Sequence, residues 1–476
     1  MARRRLSTLL GFLASAALVS GTLTVTSVAS ADPGQPADPG RSAGPASDSA
    51  SGEPSGADST KQAVHPKLVI NRDFPDPDVS KFGDTYYAYA TNTGGANLPR
   101  ATASDLDGSW TVQDGDALPQ LGTWASTGRT WAPDVSQLDD GSYLLYYTAR
   151  HTASDRQCIG AARSDSPDGP FEPVGNEPLV CQLDSGGSID ASSFVDDDGT
   201  RYMLWKNDGN AVGQTTCIYL QQVDADGTTF VGDTAQIMCN DRDDEAGIIE
   251  APVLQKVDGR YVLFYAAGPY ATSQYGTNYG VADSPTGPYS KAYRFLMTTD
   301  SLDGTVDGPG GADVVREEDG DRILFHGHLP EGGRGMYVAD LGWANGYPVV
   351  RGSRVRYEAE DGTLNNCEVR GNAAGASMGE VAAYIDHPDS WVELDAIYVP
   401  TAGTYSVHVG YANGSAATAS HTVTVNGDSV GSVSYPVTGW DNWQQSTVDV
   451  ELQAGWNTIR LGKGDHFTEL DYIEVA

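Results

Sequence analysis

A glycine-centred turn followed by an apolar, aromatic run occurs five times in this chain: KFGDTYYAYAT at 81–91, DDGSYLLYYTA at 139–149, DDDGTRYMLWK at 196–206, VDGRYVLFYAA at 257–267 and EDGDRILFHGH at 318–328. The glycines, Gly83, Gly141, Gly199, Gly259 and Gly320, are separated by 58, 58, 60 and 61 residues. Tyr, Val, Leu and Ile at that density favour strands, and the Asp-Gly pairs suit tight hairpin turns. A second echo lies between these runs, in ATASDLDGSW at 101–110, GAARSDSPDGPF at 160–171 and GVADSPTGPYS at 280–290. A unit of this size holds about four strands, and five such units close most economically into a ring of blades around a central channel. A β-sandwich would supply the strands but not the even spacing. The period therefore predicts an all-β fold, a five-bladed β-propeller over residues 68–347.

Just before each repeated hairpin sits a short motif: FPDPDV at 74–79, WAPDV at 131–135, SIDASSF at 188–194, IIEAP at 248–252 and GPGGADV at 308–314. The acids Asp76, Asp134, Asp190 and Glu250 are spaced by 58, 56 and 60 residues. Equal phase in a propeller means equal radial position, so these side chains are expected to converge near the channel. Most Asp and Glu of an acidic chain are solvated surface groups. These four are embedded among Pro, Trp and Ile, where an ionised carboxylate is costly without a partner or a purpose. Cleavage of a glycosidic bond needs a protonated carboxyl at the leaving oxygen and an ionised one working on the opposite face of the sugar. Apolar surroundings and like-charged neighbours separate the proton affinities of such groups. Trp131 has two readings, stacking on a sugar or packing within its blade.

Residues 1–31 read as a secretory signal peptide: Arg3, Arg4 and Arg5 lead an apolar stretch from Leu6 to Val28, and Ala29-Ser30-Ala31 has the small-x-small form of a cleavage site. Ser, Thr and Gly interrupt the apolar run, which is too broken for a spanning helix. Residues 32–67, mostly Pro, Gly, Ser, Ala and Asp, cannot repay their ordering entropy by burial and read as a disordered linker. The expected protein is secreted and extracellular, with no later membrane segment. The formal charge of -35 argues against nucleic acid, whose phosphates a binder must neutralise with Lys or Arg, and fits a soluble protein, expected to be a monomer, acting on neutral polymers. In an exported chain Cys158 with Cys181 and Cys217 with Cys239 are plausible disulfides, leaving Cys367 free and buried. No Cys/His cluster has zinc spacing.

Taken together, these motifs resemble glycoside hydrolase family 43, five-bladed propeller enzymes acting mainly on arabinofuranosides and xylosides with inversion. The resemblance implies that Asp76, in the first-blade Asp-Pro motif, is the general base. It implies that Asp190 orients the acid and tunes its proton affinity, and that Glu250, opening the fourth-blade motif, is the general acid. Asp134 would line the pocket or hold a neighbouring group. The chain departs from the family at Gly311, where many members carry a histidine beneath the site, near a bound calcium or water cluster. His326, His328 or Asp313 is left to compensate.

From residue 354 to 476 the motifs change to VRYEAEDG, WVELDAIYVP, GTYSVHVGYANG, HTVTVNGDSV and WNTIRLGKG, a β-sandwich (jelly-roll) pattern of alternating strands. This segment resembles carbohydrate-binding modules of families 6 and 35. The resemblance implies a structural calcium held by Glu358, Glu360 and Asp471, hard oxygen ligands that tie the two ends of the domain; surface acids at a strand edge are the alternative. Tyr411, Trp440 and Trp443 are the sugar-stacking candidates, with Phe467 behind them, and Glu469 stands where relatives often have Asn. No organic cofactor is expected. The expected function is an inverting hydrolase of arabinan or arabinoxylan. A β-xylosidase or other xylan- or galactan-directed enzyme, and a propeller that only binds glycans, are the competing readings.

Overall fold

The computed structural model describes residues 65–475 apart from 293, 319, 345–346, 377–378 and 400–401. The expected signal peptide, and all but the end of the expected linker, lie outside the described residues. At each repeated turn the glycine takes a positive φ, from 64° at Gly83 to 128° at Gly320, a region open to glycine without steric cost. The chain thus reverses after each innermost strand into the apolar run that fills the middle of a blade.

Four blades are four-stranded antiparallel sheets whose spatial order is their sequence order. Their innermost strands are Asp78–Phe82, Ala125–Gln137, Ser188–Val195 and Ile249–Val257. The fifth blade begins at Asp307–Val315 and recruits Lys67–Ile70, from the start of the described chain, as a partner of Arg334–Ala344. The five innermost strands touch one another in cyclic order, the fifth against the first. The expected propeller is therefore present, and the ring is closed by hydrogen bonds between its two ends. Cys158–Cys181 and Cys217–Cys239 are disulfides, and Cys367 is a free, half-buried thiol.

In or just before each innermost strand lies a left-handed residue at one shared register: Asp76, Ala132, Asp190, Ala251 and Gly311, with φ of 53°, 37°, 56°, 51° and 58°. In the last four blades the ladder slips at this point, between Trp131 and Asp134, Ile189 and Ser192, Glu250 and Val253, and Gly310 and Asp313. Such bulges re-aim side chains, and a non-glycine residue held there stores of order 1–3 kcal/mol. The bulges correct the phase expected from spacing. The second-blade counterpart of Asp76 is Ala132, whereas Asp134 aligns with Asp78 and Asp313, two residues deeper. Glu250 stands one residue ahead of its blade's bulge, the register of Trp131, Ile189 and Gly310.

The deeper carboxylates stitch one blade to the next. Asp313 Oδ2 accepts the amide of Val79 at 2.7 Å, Asp78 Oδ2 that of Val135 at 2.9 Å, and Asp134 Oδ2 that of Ser193 at 2.9 Å. Ser193 Oγ donates to the other oxygen of Asp134 at 2.5 Å. Between the third and fourth blades Ser192 Oγ donates to the carbonyl of Pro252 at 2.5 Å. Asp78, Asp134, Ser192, Pro252 and Asp313 help wall a channel cavity of about 50 Å³, little more than the space of one or two waters.

Beyond the propeller, two sheets stack into the expected sandwich. One runs Glu368–Gly371, Glu380–Ala383, Glu469–Val475, Gly403–Ala412, Gln444–Leu452, with Val355–Glu358 also paired to the closing strand. The other runs Thr363–Asn365, Trp391–Val399, Gly455–Lys463, Ala419–Val425, Asp428–Tyr435. Alternate residues of both fill a core that includes Val407, Val409, Val423, Ile459 and Ile473. Tyr411, a sugar-stacking candidate, belongs to this core: it is 3 % exposed and packs on Tyr435 with ring centroids 4.8 Å apart. Its strand position turns it inward, and it offers no face to a ligand.

Burial pushes Asp313 up to about 7, against the pull of the Val79 and Val314 amides and with a further push from Asp134. Burial, then Asp134 and Asp313, raises Asp78 well above the ordinary range. An acid that binds its proton more tightly folded than unfolded contributes stability at low pH and loses it as pH climbs from the unfolded value, about 4, to the folded one. Asp313→Asn is therefore expected to gain melting temperature relative to the native chain progressively between pH 4 and 7, with little further change above. Parallel melting curves across that range would remove the carboxylate from this role.

Candidate active site

The three expected catalytic acids lie at or beside the left-handed residues of their blades, and each meets a different environment. Asp76 is gripped on every side. Arg334 reaches both its oxygens, Nη1 to Oδ1 at 2.9 Å and Nη2 to Oδ2 at 3.4 Å, and Thr91 Oγ1 donates to Oδ2 at 2.5 Å. Thr91 Oγ1 in turn accepts the amide of Ala132 at 2.9 Å, so the second-blade bulge helps hold the first-blade acid. Burial opposes ionisation of Asp76, but the charge of Arg334, the neighbouring His326 and these hydrogen bonds outweigh it and hold the carboxyl below its usual range. His326 itself is pushed down to about 3 by burial and then by Arg334, so near neutral pH its ring is uncharged and Arg334 is the cation that keeps Asp76 ionised.

His326 also resolves the Gly311 departure. It comes from Asp321–His328, the strand beside Asp307–Val315, is fully buried, and accepts the Asp76 amide on Nδ1 at 3.1 Å. A Cβ on Gly311 would lie 2.7 Å from that same Nδ1. The ring of Tyr275 stacks on His326 with centroids 5.6 Å apart, and a Cβ on Gly310 would lie 2.2 Å from the tyrosine ring. Gly310 and Gly311 are thus the clearance for a two-ring floor, and the histidine reaches the site from the neighbouring strand. His328 lies elsewhere, on Asp307 and the carbonyl of Tyr270, and Asp313 is engaged between blades.

Asp190 accepts the amide of Ala251 at 2.9 Å. Burial first, then Glu250 and, more weakly, Asp76, push it up to about 7 despite the counter-pull of Lys206 and that amide. Its carboxyl therefore keeps a proton to higher pH than an ordinary aspartate does. Glu250 is held at both oxygens: Tyr275 Oη donates to Oε1 at 2.9 Å and Lys206 Nζ to Oε2 at 3.0 Å. Spacing did not single out Lys206, Tyr275, Arg334 or Thr91. Lys206 had one local sign, a charge ending the apolar run of YMLWK; the others come from loops and strands whose approach depends on blade closure. Asp134, expected at the pocket, has both oxygens engaged by Ser193. Trp131 is half-buried at the same register as Glu250.

On the sandwich, Trp440 is 49 % exposed and lies flat on Gly414, where a Cβ would approach the ring to 2.3 Å. Tyr384, 58 % exposed with φ 57°, and Phe467 join it around a cavity of about 450 Å³, with Arg370 bound to Glu469 and Asp441 alongside. Trp443 is half-buried, donates to the carbonyl of Ala374 at 3.0 Å and packs on Ala373, Val381 and Ala383. Of the expected calcium ligands, Asp471 is buried and Glu360 has a buried oxygen with no hydrogen-bond partner. Burial, with Glu358 and Asp471 adding to it, raises Glu360 to about 7, so these acids lie close enough to repel. Among the described residues, ligand atoms of His151, Cys158 and Cys181 lie within 4.8 Å of one another. The two sulfurs are joined in a disulfide and offer no thiolate.

Residues 66–348 match the model of glycosyl hydrolases family 43, and residues 355–476 that of carbohydrate binding module family 35. The chain is 28 % identical over 251 residues to a beta-D-galactofuranosidase of Aspergillus niger, covering 49 % of this chain and 68 % of that one. It is 27 % identical over 294 residues to extracellular endo-alpha-(1->5)-L-arabinanase 1 of Bacillus subtilis, covering 57 % and 86 %. Among solved structures it resembles a thermostable family-43 glycoside hydrolase, with 26 % identity and a TM-score of 0.54 over 60 % of this chain and 96 % of the other.

Arg334→Met removes the cation that keeps Asp76 ionised. The acidic limb of the pH–activity profile is expected to move to higher pH, so that activity falls more at pH 4–5 than at pH 7. A uniform loss across pH would show that Arg334 acts in some way other than through the ionisation of Asp76.

Proposed function

Because the chain belongs to glycosyl hydrolase family 43 and carries a C-terminal family 35 carbohydrate-binding module, we propose that it is a secreted, inverting glycosidase that releases α-L-arabinofuranosyl units from arabinan or arabinoxylan. The observation that carries this reading is the contrast among three clustered carboxylates. One is held ionised by an arginine, one is pushed up to about 7, and one is flanked by two hydrogen-bond donors. In the proposed reaction Asp76 takes a proton from a water as that water attacks the anomeric carbon. Glu250 protonates the departing glycosidic oxygen, and Asp190 biases the proton toward Glu250. The relatives named as arabinanases supply the preference for arabinofuranose.

A second reading rests on the Aspergillus niger relative, named a galactofuranosidase. α-L-Arabinofuranose and β-D-galactofuranose share their ring configuration and differ by one exocyclic carbon, so one pocket distinguishes them only by the room beyond C5. In either case the sandwich is the glycan-binding partner of the catalytic ring, with Trp440, Tyr384 and Phe467 as its stacking face. Glu358, Glu360 and Asp471 would hold a calcium that neutralises their mutual repulsion and ties the two ends of the module. The protein acts as a soluble monomer on cell-wall polysaccharide; no described helix is long and apolar enough to cross a membrane.

Release of p-nitrophenol from α-L-arabinofuranoside, β-D-galactofuranoside and β-D-xyloside is the direct test, with Glu250→Gln as control. Arabinoside preference lost in the variant supports the main reading. Galactofuranoside preference moves the assignment to the second, xyloside preference defeats both, and inactivity on all three and on linear arabinan leaves only glycan binding. For the module, chelation is expected to lower the melting temperature and added calcium to restore it, with Glu360→Ala blind to both. A melting temperature indifferent to chelator would exclude the ion.

A further inference from the structure

Lys206 is a buried cation at this site to which the proposed reaction gives no role. It lies on Arg201–Asn207, the second strand of the third blade, and is fully buried. A buried ammonium without partners is costly, and this one has two: Glu250 Oε2 at 3.0 Å and Asn210 Oδ1 at 2.9 Å. Burial favours its neutral form, but Glu250, Asp190 and Asp208 together more than reverse that, so it is charged. The groups around the pair are Asp190, Asp208, Asp76 and Tyr275, with the uncharged His326 behind the tyrosine. Arg334 serves Asp76, which leaves Lys206 as the cation facing Glu250.

The two oxygens of Glu250 therefore differ in kind. An ammonium has only donors, so the oxygen facing it cannot itself carry a hydrogen pointed at Lys206. A tyrosine hydroxyl both donates and accepts, so Oε1 beside Tyr275 can carry one. We propose that Lys206 is a positioning residue that confines the catalytic proton of Glu250 to Oε1 and stabilises the carboxylate left when that proton departs. The proposal rests on Glu250 being the general acid. In the step, the Oε1–H bond breaks and the proton bonds to the glycosidic oxygen as the bond from that oxygen to the anomeric carbon breaks. The attacking water bonds to that carbon and gives its proton to Asp76. Negative charge thus appears on Glu250 during bond cleavage, 3.0 Å from a fixed ammonium, where preorganised charge is most effective.

The test compares leaving groups. A sugar hydroxyl needs a proton to depart, whereas 2,4-dinitrophenolate leaves without one, so a defect in proton delivery is visible only with the first. Lys206→Met is expected to lower kcat/KM on an unactivated oligosaccharide by roughly 100-fold, within the range of general acid catalysis, and to change turnover of the dinitrophenyl glycoside by less than about 5-fold. Asn210→Ala, on an exposed turn outside the core, loosens Lys206 without removing its charge and is expected to give the same selectivity at smaller amplitude. It decides the question alone if Lys206→Met does not fold. Equal losses on both substrates, or none, in the folded variant overturn the proposal. Glu250→Gln is the separate control: if it keeps full activity on the oligosaccharide, the assignment of Glu250 as the acid fails, and with it the reading on which the proposal rests.

Discussion

One backbone irregularity, repeated in each innermost strand, governs both the closure of the ring and the position of its chemistry. A left-handed residue at the mouth of each strand turns its own side chain, or that of the residue before it, into the opening. Two residues further on, the chain is back in register, where Asp78, Asp134 and Asp313 reach across to the amide of the next blade. The strain at the bulges persists because those inter-blade bonds, with the ladder on either side, over-determine the conformation. The same strands therefore carry a structural layer of carboxylates below and a reactive layer above.

The reactive layer works by distributing charge unevenly. Three carboxylates meet two cations, and the cations are not shared equally: Arg334 is committed to Asp76 and Lys206 to Glu250. Asp190 has an amide for company, and burial first, then Glu250 and more weakly Asp76, push its carboxyl up to about 7. Carboxylates of identical chemistry thus acquire different environments from their surroundings. The floor beneath them is two stacked rings, Tyr275 and His326, admitted by the two adjacent glycines Gly310 and Gly311. His326 supports Asp76 through its amide, and Tyr275 supports Glu250 through its hydroxyl, so the floor holds both carboxylates at once.

The binding module repeats the lesson on a smaller scale. Strand alternation put Tyr411 inward, whereas Trp440 sits on an exposed turn and lies flat only because residue 414 has no Cβ. Glu469 pairs with Arg370 beside the aromatic face. That places a salt-bridged arginine and three aromatic rings around one hollow.

Periodicity in the sequence was enough for the blade count and the closure into a propeller, and strand alternation for the separate sandwich, because each depends on residue type and spacing along a strand; the two disulfides followed from the cysteine count of a chain expected to be exported. Spacing misplaced Asp134, since a bulge changes which residues are in register and local counting does not see it. It could not find Arg334 or Tyr275 at all. Arg334 stands 258 positions from the Asp76 it holds ionised, and Lys206 stands 44 from the Glu250 it contacts. Which charge faces which carboxylate is settled by the closing of the ring, and that decides the protonation states. The sequence by itself determined which groups this protein has for its chemistry; only the tertiary structure decided which of them is ionised, because proton affinity depends on neighbours that blade closure brings together.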